Sequence, residues 1–179
     1  MNSELLDIVD ENNNLTGEQK PRFLVHKTGL WHRVVHVYFF RKKNNELQFI
    51  VHLRSKEKDL HPNQWDTRFG GHIKAGQSII DALKQEIFEE TAVKLEPKML
   101  LKGNIRKGDF FPNREFTNVF YYRYPGEIED LHFDDGEVQT AKWMGEEYIK
   151  KSIQNNPEIW SAGLKGFNEI STILKDLIK

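Results

Sequence analysis

The sequence predicts a sandwich of helices around one mixed β-sheet, of the α/β or α+β class, and three observations predict it. Two β-branched and aromatic runs, "HRVVHVYFF" and "ELQFIVHLR", are joined by the polar stretch "RKKNN", the pattern of a hairpin. Apolar residues recur at helical spacing from Ile79 to Ile87, and again between residues 145 and 179. Further strand-like runs lie between those two helical stretches, so both element types share one core. A chain of 179 residues fits a single domain, residues 1–179, and can bury roughly two-thirds of its unfolded surface.

The elements follow in order. "LLDIVDENNNLTGEQ" reads as a short strand entering an Asn- and Gly-bearing turn, and "RFLVHKTGLW" as the link from this appendage, residues 1–30, to a core at 31–145. After the hairpin, "QWDTRFGG" reads as another short strand, whose Gly70–Gly71 pair lets backbone lie close to a ligand. Ser78, followed three residues later by Asp81, marks a capping box and starts a helix just after Ser78. Ile79, Ile80, Leu83 and Ile87 form its expected buried stripe. "KMLLKGNIRK", "EFTNVFYYRYP" and "VQTAKWM" are three more strand candidates, with Trp143 of the last directed inward. Residues 145–179 read as packing helices, with Ile149, Ile153, Leu164, Phe167, Ile170, Ile173, Leu174, Leu177 and Ile178 at amphipathic spacing.

Composition narrows the function. The 26 basic and 27 acidic residues nearly cancel, so no global field attracts a nucleic-acid polymer or an anionic membrane, and the expected partner is a small molecule. Homodimerisation is the one protein association left open. The absence of cysteine excludes disulfides, thiolate metal sites and cysteine nucleophiles. "MNSELLDIVDENNN" has neither a basic start nor an apolar run, and no segment approaches the ~20 apolar residues of a membrane span, so the expected location is the cytoplasm.

The predicted acidic helix carries the chemistry. Glu86, Glu89 and Glu90 are helical neighbours near its C-terminal end, where mutual repulsion of ~0.2–0.5 kcal/mol per exposed pair adds to an unfavourable helix dipole. Only Lys94, four residues after Glu90, offers compensation at helical spacing. A wet acidic face is the ordinary reading of such a run. Crowded carboxylates without interleaved lysines instead suit a hard divalent cation, Mg2+ or Mn2+, that bridges to substrate phosphates. Arg54 and Arg68 have guanidinium forks that match phosphate oxygens. Lys56 and Lys58 lie in the same region, and His72 follows Gly71. Phe110, Phe111 and Phe116 are read either as base-stacking rings or as core.

Gly71, five residues, Gln77, seven residues, then "QEIFEETAV" resembles the box of the Nudix hydrolases: Gly, five residues, Glu, seven residues, Arg-Glu-apolar-any-Glu-Glu-any-Gly-apolar. The flanking "HRVVHV" and "RSKEKDLHPNQWDTRFGGHIKAG" resemble the branch close to isopentenyl-diphosphate isomerase, and the likeness covers roughly residues 5–143. The resemblance implies an α/β/α sandwich around a mixed sheet, with an N-terminal extension and C-terminal helices. It also implies metal acids at Glu86, Glu89 and Glu90, a ligand from the Gly70 carbonyl, and a metal-binding or base glutamate at Glu137, with Glu115 behind it. Arg54, Arg68, Lys58 and His72 would meet the substrate. For Glu137 the competing reading is a turn carboxylate beside Asp134 and Asp135.

Three box positions depart from the pattern. Gln77 removes a carboxylate, and a glutamate restored there is expected to tighten metal binding. Gln85 replaces the arginine that in the family orients a box glutamate; an amide hydrogen-bonds but brings no charge. Ala92 replaces the glycine that ends the helix, at ~1 kcal/mol if the left-handed cap is kept. The implied activity is metal-assisted hydrolysis of a diphosphate linkage in a nucleoside diphosphate derivative or related small organic diphosphate. The alternative is a nucleotide- or metabolite-binding module with weak or lost hydrolysis. Isomerisation of isopentenyl diphosphate ranks lower, since the isomerase has a cysteine where this chain has Gly70.

Overall fold

The computed structural model describes residues 4–58, 60–134 and 136–179; Asp135, weighed beside Glu137, and the first three residues lie outside them. β3 (His32–Lys43) and β4 (Glu46–Arg54) form the expected hairpin. Its turn residues Asn44 and Asn45 have φ of 50° and 62°, the left-handed pair a two-residue turn needs to match strand twist. The sheet runs β5 (Trp65–Asp66), β4, β3, β7 (Asn113–Arg123), β6 (Leu100–Phe110), and β8 (Val138–Gly145) also pairs with β4. Among the described residues only strands β3 and β7 pair in parallel, so the sheet is mixed.

A split in this sheet positions the site. β4 pairs with β3 only between Phe40–Lys43 and Glu46–Phe49, then continues along β8 and β5. Beside the first half of β3 lies the glycine-bearing segment instead. Val37 N–H donates to the Phe69 carbonyl at 2.8 Å, Val35 N–H to Gly71 at 2.9 Å, and Ile73 N–H to Arg33 at 3.0 Å.

Strand alternation divides the core. Val35, Val37 and Phe39 face α2 (Ile79–Thr91), packing with Phe69, Leu83 and Ile87. Tyr38 and Phe40 face the other way, toward α3 (Glu146–Asn155) and α4 (Leu164–Leu177), whose Ile149, Ile153, Phe167, Ile170 and Leu174 are buried. The result is an α/β/α sandwich. α2 begins where the capping box placed it, with Asp81 N–H donating to Ser78 Oγ at 3.1 Å. Its stripe differs at one position: Ile80 is 43% exposed and Ala82 is buried. Helical side chains lean toward the N-terminus, so a first-turn residue reaches past the layer that covers Leu83.

The appendage holds a helix that the sequence reading treated as a link. β1 (Leu5–Val9) and β2 (Leu15–Pro21) form a two-stranded hairpin, and Arg22–Thr28 is α1. Pro21 precedes it, Gly29 ends it at φ 68°, and Val25 is buried with Leu6 and Ile8. Tertiary burial decides so short a helix, and such a signal is invisible to periodicity. The hairpin is seated on the loop before α2: Ala75 N–H donates to the Leu5 carbonyl and Gly76 N–H to Asp7 Oδ2, both at 2.8 Å. No helix among the described residues is long and apolar enough to cross a membrane.

Candidate active site

Two glycines bring the segment of residues 69–73 between β3 and α2. Gly70 has φ 133°, and a Cβ there would run into the Val35 carbonyl. A Cβ on Gly71 would collide with the Glu86 carboxylate. Glu86 and Glu90 stand three and seven residues after Leu83, almost one and two turns on, so they follow the buried arc toward this segment. Gly70 N–H donates to Glu90 Oε2 at 2.8 Å.

These carboxylates lack sufficient positive charge. Burial, reinforced by Glu89, pushes the Glu86 carboxyl up to about 7. Burial also drives Glu90 well above the ordinary range despite the Gly70 hydrogen bond, with Glu137 and Glu86 adding to the rise. Glu137 acts on both, so the three negative groups share one electrostatic space. Lys58 forms an ion pair with Glu137. The donor set, hard oxygens under mutual repulsion, fits a divalent cation.

Glu89 is exposed, and an amide relay holds it. Lys74 N–H donates to Gln77 Oε1 at 3.1 Å, Gln77 Nε2 to Gln85 Oε1 at 2.9 Å, and Gln85 Nε2 to Glu89 Oε1 at 2.7 Å. Every amide in the chain points its donor toward the carboxylate. The two glutamines of the box therefore form one device.

Arg54 and Arg68 converge on a different group. Asp66, 1% exposed, accepts the Thr67 and Arg68 N–H groups on Oδ1. Its Oδ2 lies 3.1 Å from Arg68 Nε and 3.7 Å from Arg54 Nη1. Burial works against the Asp66 charge, but Arg68, His52 and the hydrogen bonds from Ser161 and the Arg68 N–H together outweigh it and keep the carboxyl well below its usual range. Arg54 also donates to the Leu60 carbonyl at 3.0 Å. Asp66 stands two residues before Arg68, and only the fold brings it to Arg54 as well. Phe110 and Phe111 are 79% and 69% exposed at the turn between β6 and β7, whereas Phe116 is buried against Trp31.

His72 turns away from the glutamates into a group that sequence reasoning missed. His26 Nε2 lies 3.0 Å from His72 Nε2 and 3.3 Å from His32 Nε2. The three come from α1, the start of β3 and the glycine segment, and no local spacing links them. Glu115 is close enough to His26 to act on it electrostatically; its own carboxyl is pushed up by burial and held back by Arg68.

A three-layer sandwich with a glycine segment, a capped helix and clustered carboxylates at one sheet opening defines a class, and residues 30–162 match the NUDIX domain family model. The chain belongs to the Nudix family. It is 34% identical over 142 residues to an uncharacterized Nudix hydrolase of Clostridium acetobutylicum, covering 77% of this chain and 68% of that one. It is also 34% identical over 167 residues to Nudix hydrolase 3 of Arabidopsis thaliana, covering 88% of this chain but only 21% of the plant protein's length. A crystal structure from Deinococcus radiodurans shares the fold, with a TM-score of 0.69 at 23% identity over 86% of this chain and 90% of that one.

Proposed function

We propose that the protein hydrolyses a diphosphate linkage in a nucleoside diphosphate derivative or a related small organic diphosphate, with Mg2+ or Mn2+. The carrying observation is the approach of Glu86 and Glu90 to the Gly70–Gly71 backbone within the field of Glu137. A divalent ion bound there supplies charge neutralisation at the phosphates and a more acidic water. Glu86, Glu89, Glu90 and the Gly70 carbonyl would hold it. A box glutamate or Glu137 accepts the proton of the attacking water. Lys58, paired with Glu137, is the cation best placed to exchange that partner for a phosphate oxygen. Arg54 and Arg68, engaged by Asp66, would leave that carboxylate to meet a substrate phosphate, and His72 borders the site from the side of the other two histidines.

A second reading, a metabolite-binding module with little turnover, draws on the neutral Gln77–Gln85 pair. One experiment separates the two. Nucleoside diphosphates and triphosphates, sugar nucleotides, dinucleoside polyphosphates and isopentenyl diphosphate are incubated with the protein and Mg2+ or Mn2+, and products are identified. Cleavage within a diphosphate is expected, and loss of it in the Glu89→Gln, Glu90→Gln double variant. A compound that raises the melting temperature in the presence of metal but is never cleaved supports the binding module. Isomerisation of isopentenyl diphosphate with intact nucleotides overturns both.

A further inference from the structure

We infer that the N-terminal hairpin is part of the metal-site machinery: β1, through Asp7 and the Leu5 carbonyl, holds the turn from which the amide relay to Glu89 starts. Asp7 is thereby a positioning residue for that carboxylate. The inference rests on the reading of Glu86, Glu89 and Glu90 as metal ligands, and it adds residues outside the box that set the affinity.

Four backbone donors account for the turn at residues 74–77. Lys74 N–H donates to Gln77 Oε1 at 3.1 Å, and Gln77 N–H returns to the Lys74 carbonyl at 3.0 Å, so its two ends close on each other. The two middle donors leave the turn. Ala75 N–H goes to the Leu5 carbonyl and Gly76 N–H to Asp7 Oδ2, both at 2.8 Å, and both acceptors lie on β1. No ladder within so short a turn fixes its orientation, so the groups that take its middle donors set where the Gln77 side chain points. Asp7 is itself held, because Gln19, its partner across the hairpin, donates from Nε2 to Oδ1 at 3.0 Å.

β1 is in turn fastened to the sheet. Val9 N–H donates to the Trp31 carbonyl at 3.0 Å, and Leu6 and Ile8 are buried with Val25. At the hairpin tip, Arg33 Nε of β3 donates to Asn13 Oδ1 and Lys107 Nζ of β6 to the Glu11 carbonyl, both at 2.7 Å. Two routes therefore register neighbouring carboxylates to β3. Glu90 is held by the Gly70 N–H, between the Phe69 and Gly71 carbonyls that accept from Val37 and Val35. Glu89 is held through Gln85, Gln77, the turn and β1. Mg2+ demands near-ideal geometry at ~2.0–2.1 Å, so slack in either route weakens binding.

Full-length Asp7→Ala and Asp7→Asn are compared with the wild type, with Leu174→Ala as the control for general destabilisation and circular dichroism to establish folding. In calorimetric titration Asp7→Ala is expected to bind Mg2+ about tenfold more weakly, the effect usual for a residue that orients a metal ligand from outside. Asp7→Asn should keep the affinity, because its carbonyl accepts the Gly76 N–H and exposed Gln19 can turn to accept from its amide. Leu174→Ala should bind as the wild type does. In metal-free protein the side-chain amide resonances of Gln77 and Gln85 should shift in Asp7→Ala and stay in place in the other two variants. A wild type that takes up no Mg2+, or a Glu89→Gln, Glu90→Gln double variant that takes it up undiminished, overturns the metal reading and this inference with it. Wild-type affinity in Asp7→Ala, unmoved glutamine resonances, or an equal loss of affinity in Asp7→Asn or Leu174→Ala overturns the inference alone.

Discussion

Gln77 and Gln85 replace two opposite charges of the Nudix pattern, and their hydrogen bonds explain why the replacements come together. The link from the loop to Glu89 survives with each amide donating onward. This relay argues for the opposite outcome to the one expected from charge alone for Gln77→Glu. A carboxylate at position 77 makes Gln85 turn its amide to donate backward, presenting its carbonyl oxygen to Glu89. Weaker Mg2+ binding is expected for that variant, with recovery when Gln85→Arg is added, a coupling on the order of 1 kcal/mol in a double-mutant cycle. Tighter binding in the single variant and no coupling would show that the relay does not hold Glu89. A second prediction concerns Glu86, whose folded carboxyl is raised to about 7 from 4.5. For such a group, metal-free stability is full below pH 4.5 and lost as pH rises through 7. The loss is smaller than the roughly 1.4 kcal/mol per pKa unit of a fully buried group, since Glu86 is partly wet. Half-buried His36 and buried His52, lowered to about 3 and about 4, act in the opposite direction: their contribution is present above pH 6.5 and lost as pH falls through those values. Comparison with Glu86→Gln isolates the carboxyl. In EDTA the wild type should lose melting temperature relative to this variant between pH 5 and 8, and Mg2+ should remove the difference.

At the scale of elements, α2 shows what local chemistry makes legible and what it does not. Its start was readable from Ser78 and Asp81, and its end from the box, although Ala92 stands at the glycine position. The helix still closes in the glycine manner: Ala92 has φ 58° and its N–H donates to the Phe88 carbonyl at 2.9 Å. Ala92→Gly should therefore raise unfolding free energy by up to about 1 kcal/mol in urea titration, with the greater freedom of glycine in the unfolded chain offsetting part of it. A destabilised variant would mean that the left-handed cap is relaxed in solution. β3, β4 and β7 were equally legible, because each is a long β-branched or aromatic run, and β6 and β8, with fewer such residues, were read as strands as well. α1 was not, having only seven residues and one buried side chain, Val25, to hold it. The carboxylate cluster was legible because its members lie within one helix and one strand entry. The histidine trio was hidden because its members come from three elements that meet only in the folded chain, and the sequence did not show that Asp66 lies beside the guanidiniums of Arg54 and Arg68, which suit a buried aspartate as well as a phosphate.

Across the whole molecule the sheet separates two cores, and only one of them touches the carboxylates. Leu83 on α2 packs with Val35, Val37 and Phe69 beneath the glycine segment, while Leu174 on α4 packs with Phe49 and Tyr121 on the opposite face. Both leucines have 0% exposure, so truncation of either to alanine leaves a comparable cavity and costs about 2–5 kcal/mol. Their consequences for metal should differ. Loss of Leu83 loosens α2 against the segment whose Gly70 N–H holds Glu90, so the carboxylates lose their fixed approach. Loss of Leu174 loosens α4, which the sheet separates from them. In urea titrations with and without Mg2+, Leu174→Ala should keep the wild-type increment in stability from the ion, whereas Leu83→Ala should lose most of it at similar total destabilisation. Equal increments in the two variants would mean that Glu86 and Glu90 gather the ion without help from the packing under them, and that the site is set by the loop alone.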